Sequence, residues 1–260
     1  KGLYIPTQGN TLGKGRNPMK FSEELKKYFL DEKFDSALKV SIADKKEPLV
    51  ESISLLKELA CHRRVIHIGA VDHKDSIDRK IQKGNWLHQH FMDVAQECIG
   101  IDINKEGIEY LKEHYGIEKI YYADVLQDDL SFLGSARWDI AFLPDVLEHI
   151  PDVFSFLQKF HSRFKDHCEY FALTVPNAFC LRNIVNAFKG IEKINSDHKY
   201  WFTPYTTGKL LSMAGFDVKE VHYVMRGLSK SKKKLEDRVK NIFFRAKPCL
   251  RDTIVAFCKF

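Results

Sequence analysis

From Arg64 to the C-terminus, short apolar runs alternate with stretches of helical periodicity, and this rhythm restricts the chain to a sheet of mostly parallel strands joined by helical crossovers. The strands are expected at Val65 to Gly69, Glu97 to Asp102, Ile120 to Ala123, Ile140 to Leu143, Tyr170 to Val175, Phe216 to Tyr223 and Thr253 to Lys259. Asn104 is placed to cap a helix that Gly116 ends. Further helices are expected over Val153 to Phe164, over Ala178 to Phe188 and from near Thr206 to Gly215. Ahead of this rhythm, Phe21 to Leu30 and Leu49 to Leu59 carry apolar residues at helical spacing, with Pro48 placed to open the second helix.

Lys1 to Pro18 has turn residues and no periodicity, and reads as a flexible arm; Met19 stands as a candidate natural start, in which case residues 1–18 are not native. No charged and then apolar leader is visible, and no apolar run approaches the roughly 18 residues of a membrane span. The six cysteines show no CxxC spacing, so they are expected to be small buried apolar residues in a reducing, cytoplasmic setting, which argues against zinc and disulfides. The net charge of +6 is uneven, since Arg226 to Arg251 holds ten Lys and Arg against only Glu236 and Asp237. Such a run is a solvated helix face or a patch for RNA, an anionic membrane surface or a phosphorylated substrate.

The ends of the strands carry the chemistry. In WDIAFLPDVLEHIPD, Trp138 to Asp152, a buried strand runs directly into Asp145, Glu148 and His149. If the chain turns helical there, these three share one face, which suits catalysis or metal binding; the alternative is a helix cap with local hydrogen bonds. Gly69 follows the first strand, where a tight turn lets backbone N–H groups approach a ligand, but Val71 and His73 stand where a dinucleotide fingerprint needs glycines, which argues against NAD. Asp102 closes the second strand, the usual position of an acid that holds ribose hydroxyls, and Asp124 closes the third, where with the Val125 N–H it can meet an adenine edge. Acids recurring at successive strand ends point to a nucleoside site.

The order HIGAVDH, CIGIDINKEGIEYL, YYADV, WDIAFLPDVLEHIPD, LTVPNAFCLRN and DHKYWFTPYTTGKLLSMAGF, from Val65 to Val221, resembles the class I S-adenosylmethionine-dependent methyltransferases. The resemblance implies a Rossmann-like α/β fold, a mostly parallel seven-stranded sheet with an antiparallel last strand and helices on both faces. It implies an N-terminal arm and helical preface over residues 1–60, then a methyltransferase domain over 61–260 with a basic insertion at 226–251. S-adenosylmethionine would be the cofactor, with Gly69 at its methionyl part, Asp102 and Ile103 at the ribose, Asp124 and Val125 at the adenine, and Leu143 and Asp145 beside the sulfonium. The family has an acid where His67 stands and glycines where Val71 and His73 stand. The stretch Asp72 to His90 is a compensating candidate that would bring polar groups and Trp86 over the cofactor, or else a loop with a core tryptophan.

LEHIPD, TVPN and HKYWFTP are similar to segments of methyltransferases of bacterial surface-polysaccharide and small-molecule pathways, which implies a sugar or sugar-phosphate hydroxyl as acceptor. In that reading no metal is used, and His149 or His198 is the general base with Glu148 orienting it. Asp145, Glu148, His149 and His198 are also similar to the metal-binding residues of small-RNA 3′-end 2′-O-methyltransferases, which implies a metal-assisted RNA enzyme as the alternative, with nucleic acid as its partner. A cofactor-binding scaffold without catalysis is the third reading, motivated by Val71 and His73.

Overall fold

In the computed structural model, Arg16, residues 18–42, 47–72, 74–227 and 235–260 are described; the arm at 1–15 and His73 therefore lie outside the described residues. The strands are β1 (Arg64–Ile68), β2 (Glu97–Asp102), β3 (Ile120–Tyr122), β4 (Trp138–Pro144), β5 (Cys168–Pro176), β6 (Asp217–Val224) and β7 (Thr253–Lys259). The helices are α1 (Glu23–Phe29), α2 (Ser52–Ala60), α3 (Lys74–Gln82), α4 (Leu87–Val94), α5 (Lys105–Tyr115), α6 (Val153–Phe164), α7 (Leu181–Phe188), α8 (Pro204–Met213) and α9 (Leu235–Ala246).

The strands form one seven-stranded sheet in the order β3-β2-β1-β4-β5-β7-β6. β7 pairs antiparallel with both β5 and β6, and the pairs β1 with β2, β1 with β4, β2 with β3 and β4 with β5 are parallel. Strand order therefore reverses between β1 and β4. In an open sheet of this kind the ligand crevice lies beyond the carboxyl ends of the strands at that reversal. β4 carries Ile140 to Leu143 fully buried, because a parallel strand covered on both faces meets no water on either side.

The local signals mostly act as expected. Asn104 caps α5 by accepting from the Gly107 N–H at 3.0 Å, and Gly116 ends it in the left-handed conformation. α8 starts earlier than expected, at Pro204, because Thr203 and Thr206 form a reciprocal capping box. α2 starts later than Pro48 suggests, at Ser52, because residues 50–51 are held extended: the Ser52 N–H donates to the Met225 carbonyl at 2.7 Å and the Met225 N–H to Val50 at 3.0 Å. The two N-terminal helices pack on the sheet's helical layers. Phe21 and Phe29 of the α1 region meet Gly208 of α8, and Leu55, Leu56 and Leu59 of α2 share a core with Phe91 of α4 and Phe142. All six cysteines are free; Cys61 is exposed and Cys249 half-buried, so the expectation of burial holds for four of them. No helix of the described residues is long and apolar enough to cross a membrane.

Asp72 to His90 is not a loop. It folds mainly into α3 and the start of α4, and Trp86 is buried with its indole N–H donating to the Ala70 carbonyl at 3.1 Å. The core reading of this tryptophan is therefore the right one. Beneath it, His67 of β1 and His88 of α4 are both buried, with their Nδ1 atoms 3.1 Å apart, so one ring donates to the other. Gly100 on β2 makes this possible, since a Cβ there would lie 2.9 Å from Ala70 and 3.1 Å from His88.

Burial, together with the neighbouring ring, holds His67 well below the usual histidine range, and burial pushes His88 down to about 4. Both groups are neutral when folded, whereas each takes up a proton near pH 6.5 when unfolded. The unfolded chain thus binds more protons as pH falls below about 6.5, and stability falls with it. The loss is about 1.4 kcal/mol per histidine for each pH unit until the folded pair itself titrates. Urea denaturation at stepped pH should show this slope, and His88→Leu should make it shallower than in the parent. An identical slope in the two proteins would remove the pair as its source.

Candidate active site at the strand reversal

Gly69 ends β1 with φ +74°, and a Cβ there would lie 2.6 Å from Val146 Cγ2, so only glycine allows the β1 and β4 loops to approach this closely. The Val71 side chain lies against α5, where a Cβ on Gly107 would be 2.4 Å from its Cγ1, and the Val71 N–H donates to Asp102 Oδ2 at 2.8 Å. A side chain in place of the family's glycine is thereby accommodated by a glycine on the facing helix. Asp102 is nearly buried, and its other oxygen accepts from the Asn104 N–H at 2.9 Å. Burial raises its carboxyl above the ordinary aspartate range, and the backbone N–H groups oppose that rise. Each oxygen keeps a second acceptor site for a ligand hydroxyl.

Ile103, directly after β2, is 71% exposed, and Tyr122 at the end of β3 is also exposed. Asp124 is held by its own turn, accepting from the Leu126 N–H at 2.8 Å and from Gln127 Nε2 at 2.9 Å. The Val125 N–H has no partner among the described residues. An acid beyond β2, an N–H beyond β3 that is free among the described residues and an exposed apolar surface between them could hold a nucleoside.

On the other side of the crevice, Leu143 is fully buried in the sheet core, so only its backbone can line a site. Asp145 sits in the left-handed region at φ +52°, held there by Thr174: its N–H donates to the Thr174 carbonyl and hydroxyl, each at 3.0 Å, and its Oδ1 accepts from the same hydroxyl at 2.9 Å. Oδ1 also accepts from Arg226 Nη2 at 3.1 Å. The chain then makes a single 3-10 turn, Leu147 to His149, rather than an α-helix, so Asp145 does not share a face with Glu148 and His149. It turns toward Arg226 instead.

Glu148 and His149 meet the loop that follows α7. The Lys199 N–H donates to the Glu148 carbonyl at 2.8 Å, which brings His198 alongside. Among the described residues, Glu148, His149 and His198 form a group whose ligand atoms all lie within 4.8 Å of one another. The His149 and His198 rings meet edge to face with centroids 4.7 Å apart. His149 Nδ1 lies 2.7 Å from Asp197 Oδ2, whereas His198 Nε2 is 3.9 Å from Glu148 Oε1, beyond hydrogen-bond range. The residue that orients His149 is thus Asp197 and not Glu148.

Glu148 is fully buried, and neither oxygen has a hydrogen-bond partner among the described residues. Burial, reinforced by the charge of Asp145, pushes its carboxyl up to about 8. His198 is lowered by burial and then by His149 and Arg226. The hydrogen bond from His149 holds Asp197 below the ordinary aspartate range.

The family model for a methyltransferase domain matches residues 81–221. The chain belongs to this methyltransferase family. The match begins after the β1 loop, which is the region where His67, Val71 and His73 depart from the family's first motif. With the sheet order above, it makes the chain a class I S-adenosylmethionine-dependent methyltransferase.

No curated protein matches the sequence. Among solved structures, the methyltransferase is similar to a SAM-dependent methyltransferase from Archaeoglobus fulgidus, at 20% identity over 80% of this chain and 95% of that one, with a TM-score of 0.44. It is similar to the small RNA methyltransferase HEN1, at 20% identity over 87% of this chain but 27% of that one, with a TM-score of 0.50. It is also similar to a putative methyltransferase from Haloferax volcanii solved with its Trm112 activator, at 12% identity over 82% and 84% of the chains, with a TM-score of 0.50. At these identities the likeness concerns the fold.

Proposed function

We propose that this methyltransferase methylates a hydroxyl group, with a sugar or sugar phosphate as the acceptor and His149 as the general base. The observation that carries this reading is the His149–Asp197 pair beside a buried, unpartnered Glu148, at the strand reversal where the crevice opens. S-adenosylmethionine, when bound, supplies a methyl group already activated by its positive sulfur. The chain then has to align the acceptor, exclude water and take up one proton. Asp197 accepts from Nδ1 of His149, which leaves Nε2 with a lone pair toward the acceptor hydroxyl. Glu148, protonated near neutral pH, can donate to an acceptor oxygen. Lys199 and Arg226, both partly exposed beside the cluster, suit an acceptor that carries phosphate.

On the donor side, Asp102 would hold the ribose, Ile103 would face the nucleoside and the Val125 N–H would meet the adenine. Asp102→Ala should weaken S-adenosylhomocysteine binding by about 1.5 to 3 kcal/mol, the loss expected for hydrogen bonds to a charged group. Calorimetry on the parent and the variant measures this, with circular dichroism to verify the fold. Unchanged affinity in a folded variant would take Asp102 out of the site.

One observation favours a second reading. Two imidazoles and an unpartnered carboxylate within 4.8 Å are a donor set for a divalent cation, and a metal-binding histidine commonly gives its other nitrogen to a carboxylate, as His149 does to Asp197. A cation bound there would lower the pKa of the acceptor hydroxyl. A chelator decides between the two. If the base reading holds, the chelated enzyme keeps its rate. Loss of rate on chelation, restored by Mn²⁺ or Mg²⁺ in the parent but not in Glu148→Gln, would establish the metal reading, and an RNA 2′-hydroxyl would then be the second acceptor to assay. Full turnover with all three residues replaced would defeat both.

A further inference from the structure

We infer that the carboxyl-edge face formed by α7, the loop after it and α9 docks on an anionic lipid surface. Nine of the fourteen large hydrophobic side chains that are exposed among the described residues fall within residues 179–200 and 239–243. Phe188 is 88% exposed and Ile242 is 68% exposed, and no residue of α7 is buried although the helix is amphipathic. Isolated exposed hydrophobics are ordinary, but this concentration is not.

The two segments leave the same edge of the sheet. Asn177, just before α7, donates from Nδ2 to the carbonyls of Cys249 at 2.8 Å and Arg251 at 2.7 Å, just after α9. Asp145 and Arg226 meet at this edge as well, so the candidate active site opens beside the apolar residues.

The charge around the patch identifies its occupant. Arg182, Lys189, Lys193, Lys199, Lys240, Arg245 and Lys247 are exposed in these two segments, against Glu192 and Asp197. Both acids are engaged, Glu192 with the Trp201 indole N–H at 2.8 Å and Asp197 with His149. Cations interleaved with large apolar side chains on short amphipathic helices suit a membrane interface, where the apolar groups enter the acyl boundary and the cations meet anionic headgroups. A single-stranded RNA site would present mainly stacking rings, whereas five of these nine exposed apolar groups are Val and Ile. A docked enzyme would meet acceptors anchored at or held near the lipid surface. The inference does not depend on which hydroxyl is methylated or on the use of a metal.

Co-sedimentation of the full chain with phosphatidylcholine vesicles, with and without phosphatidylglycerol, tests the proposal. Binding is expected only with phosphatidylglycerol and should weaken with added salt. Lys189→Glu combined with Lys193→Glu should reduce partitioning by at least about tenfold, since each surface cation contributes on the order of 1 kcal/mol. Phe188→Ser combined with Ile242→Ser should reduce it comparably, while Phe34→Ser, exposed but outside the patch, should leave it unchanged. S-adenosylhomocysteine binding by the same variants verifies that they are folded. Three outcomes would overturn the proposal: no vesicle binding by the parent, binding of an oligouridylate without binding of vesicles, or a dimer that Phe188→Ser dissociates in a protein that ignores lipid.

Discussion

Replacing His149 by alanine should lower kcat by about 10² to 10⁴-fold, the usual contribution of a positioned general base, while leaving the affinity for S-adenosylhomocysteine intact. His149 is half-buried in a single turn whose backbone is held at both ends, by the Val146 carbonyl and by the Lys199 N–H on Glu148. The substitution therefore removes an imidazole without removing a support. Asp197→Asn is the companion variant. It keeps an acceptor oxygen for Nδ1 but loses the charge that stabilises the imidazolium formed during transfer, so it should lower kcat by roughly tenfold. A merely structural role for Asp197 would leave kcat at the parent value in a folded variant. A folded His149→Ala protein that turns over at the parent rate would end the base reading.

The His149–Asp197 pair shows where sequence reasoning reaches and where it stops. The bounds of Glu97–Asp102, Val153–Phe164 and Thr253–Lys259 coincide with those read from the sequence, because charges, an aspartate cap and apolar periodicity mark both ends of each element. The sheet followed from those elements and from handedness. Asp197 and His149 are 48 residues apart, and nothing in their spacing links them. Their meeting depends on the Lys199 N–H reaching the Glu148 carbonyl, a backbone contact without a side-chain signature.

The helical face shared by Asp145, Glu148 and His149 fails for a related reason. An acid-x-x-Glu-His spacing reads as a helical face, but Thr174 on the neighbouring strand holds Asp145 in the left-handed region and sends its carboxylate to Arg226. The helix within Asp72 to His90 is not legible in the sequence because α3 is strongly charged, with Ile77 and Ile81 as its apolar positions, which is too weak a pattern to reveal a packed helix. The departures at His67 and Val71 look damaging in the sequence. In the fold they are absorbed by His88 and by Gly107, residues that no motif connects to them.

Arg251→Met should destabilise the fold by about 3 to 5 kcal/mol, the cost of breaking a buried ionic network by removing one partner. Thermal denaturation should show this as a fall in Tm of roughly 10 °C. Arg251 is fully buried, and its guanidinium donates to three carbonyl groups: Tyr223 at 2.8 Å, Glu47 at 2.9 Å, and Phe244 at 3.0 and 3.1 Å. Nη1 also lies 3.5 Å from the Glu47 carboxylate, which burial raises to about 7 despite the opposing charge of Arg251. Methionine fills much of the volume but leaves those carbonyls without donors. The carbonyls belong to the end of β6, to α9 and to the strand-like approach to α2, so one side chain joins three parts of the chain that are remote in sequence. Loss of that join should free α9 first, and amide exchange in residues 239–246 should accelerate in the variant before exchange in β4 changes. Equal acceleration throughout would mean that Arg251 acts on global stability alone, and an unchanged Tm would mean that the three carbonyls find water at no cost.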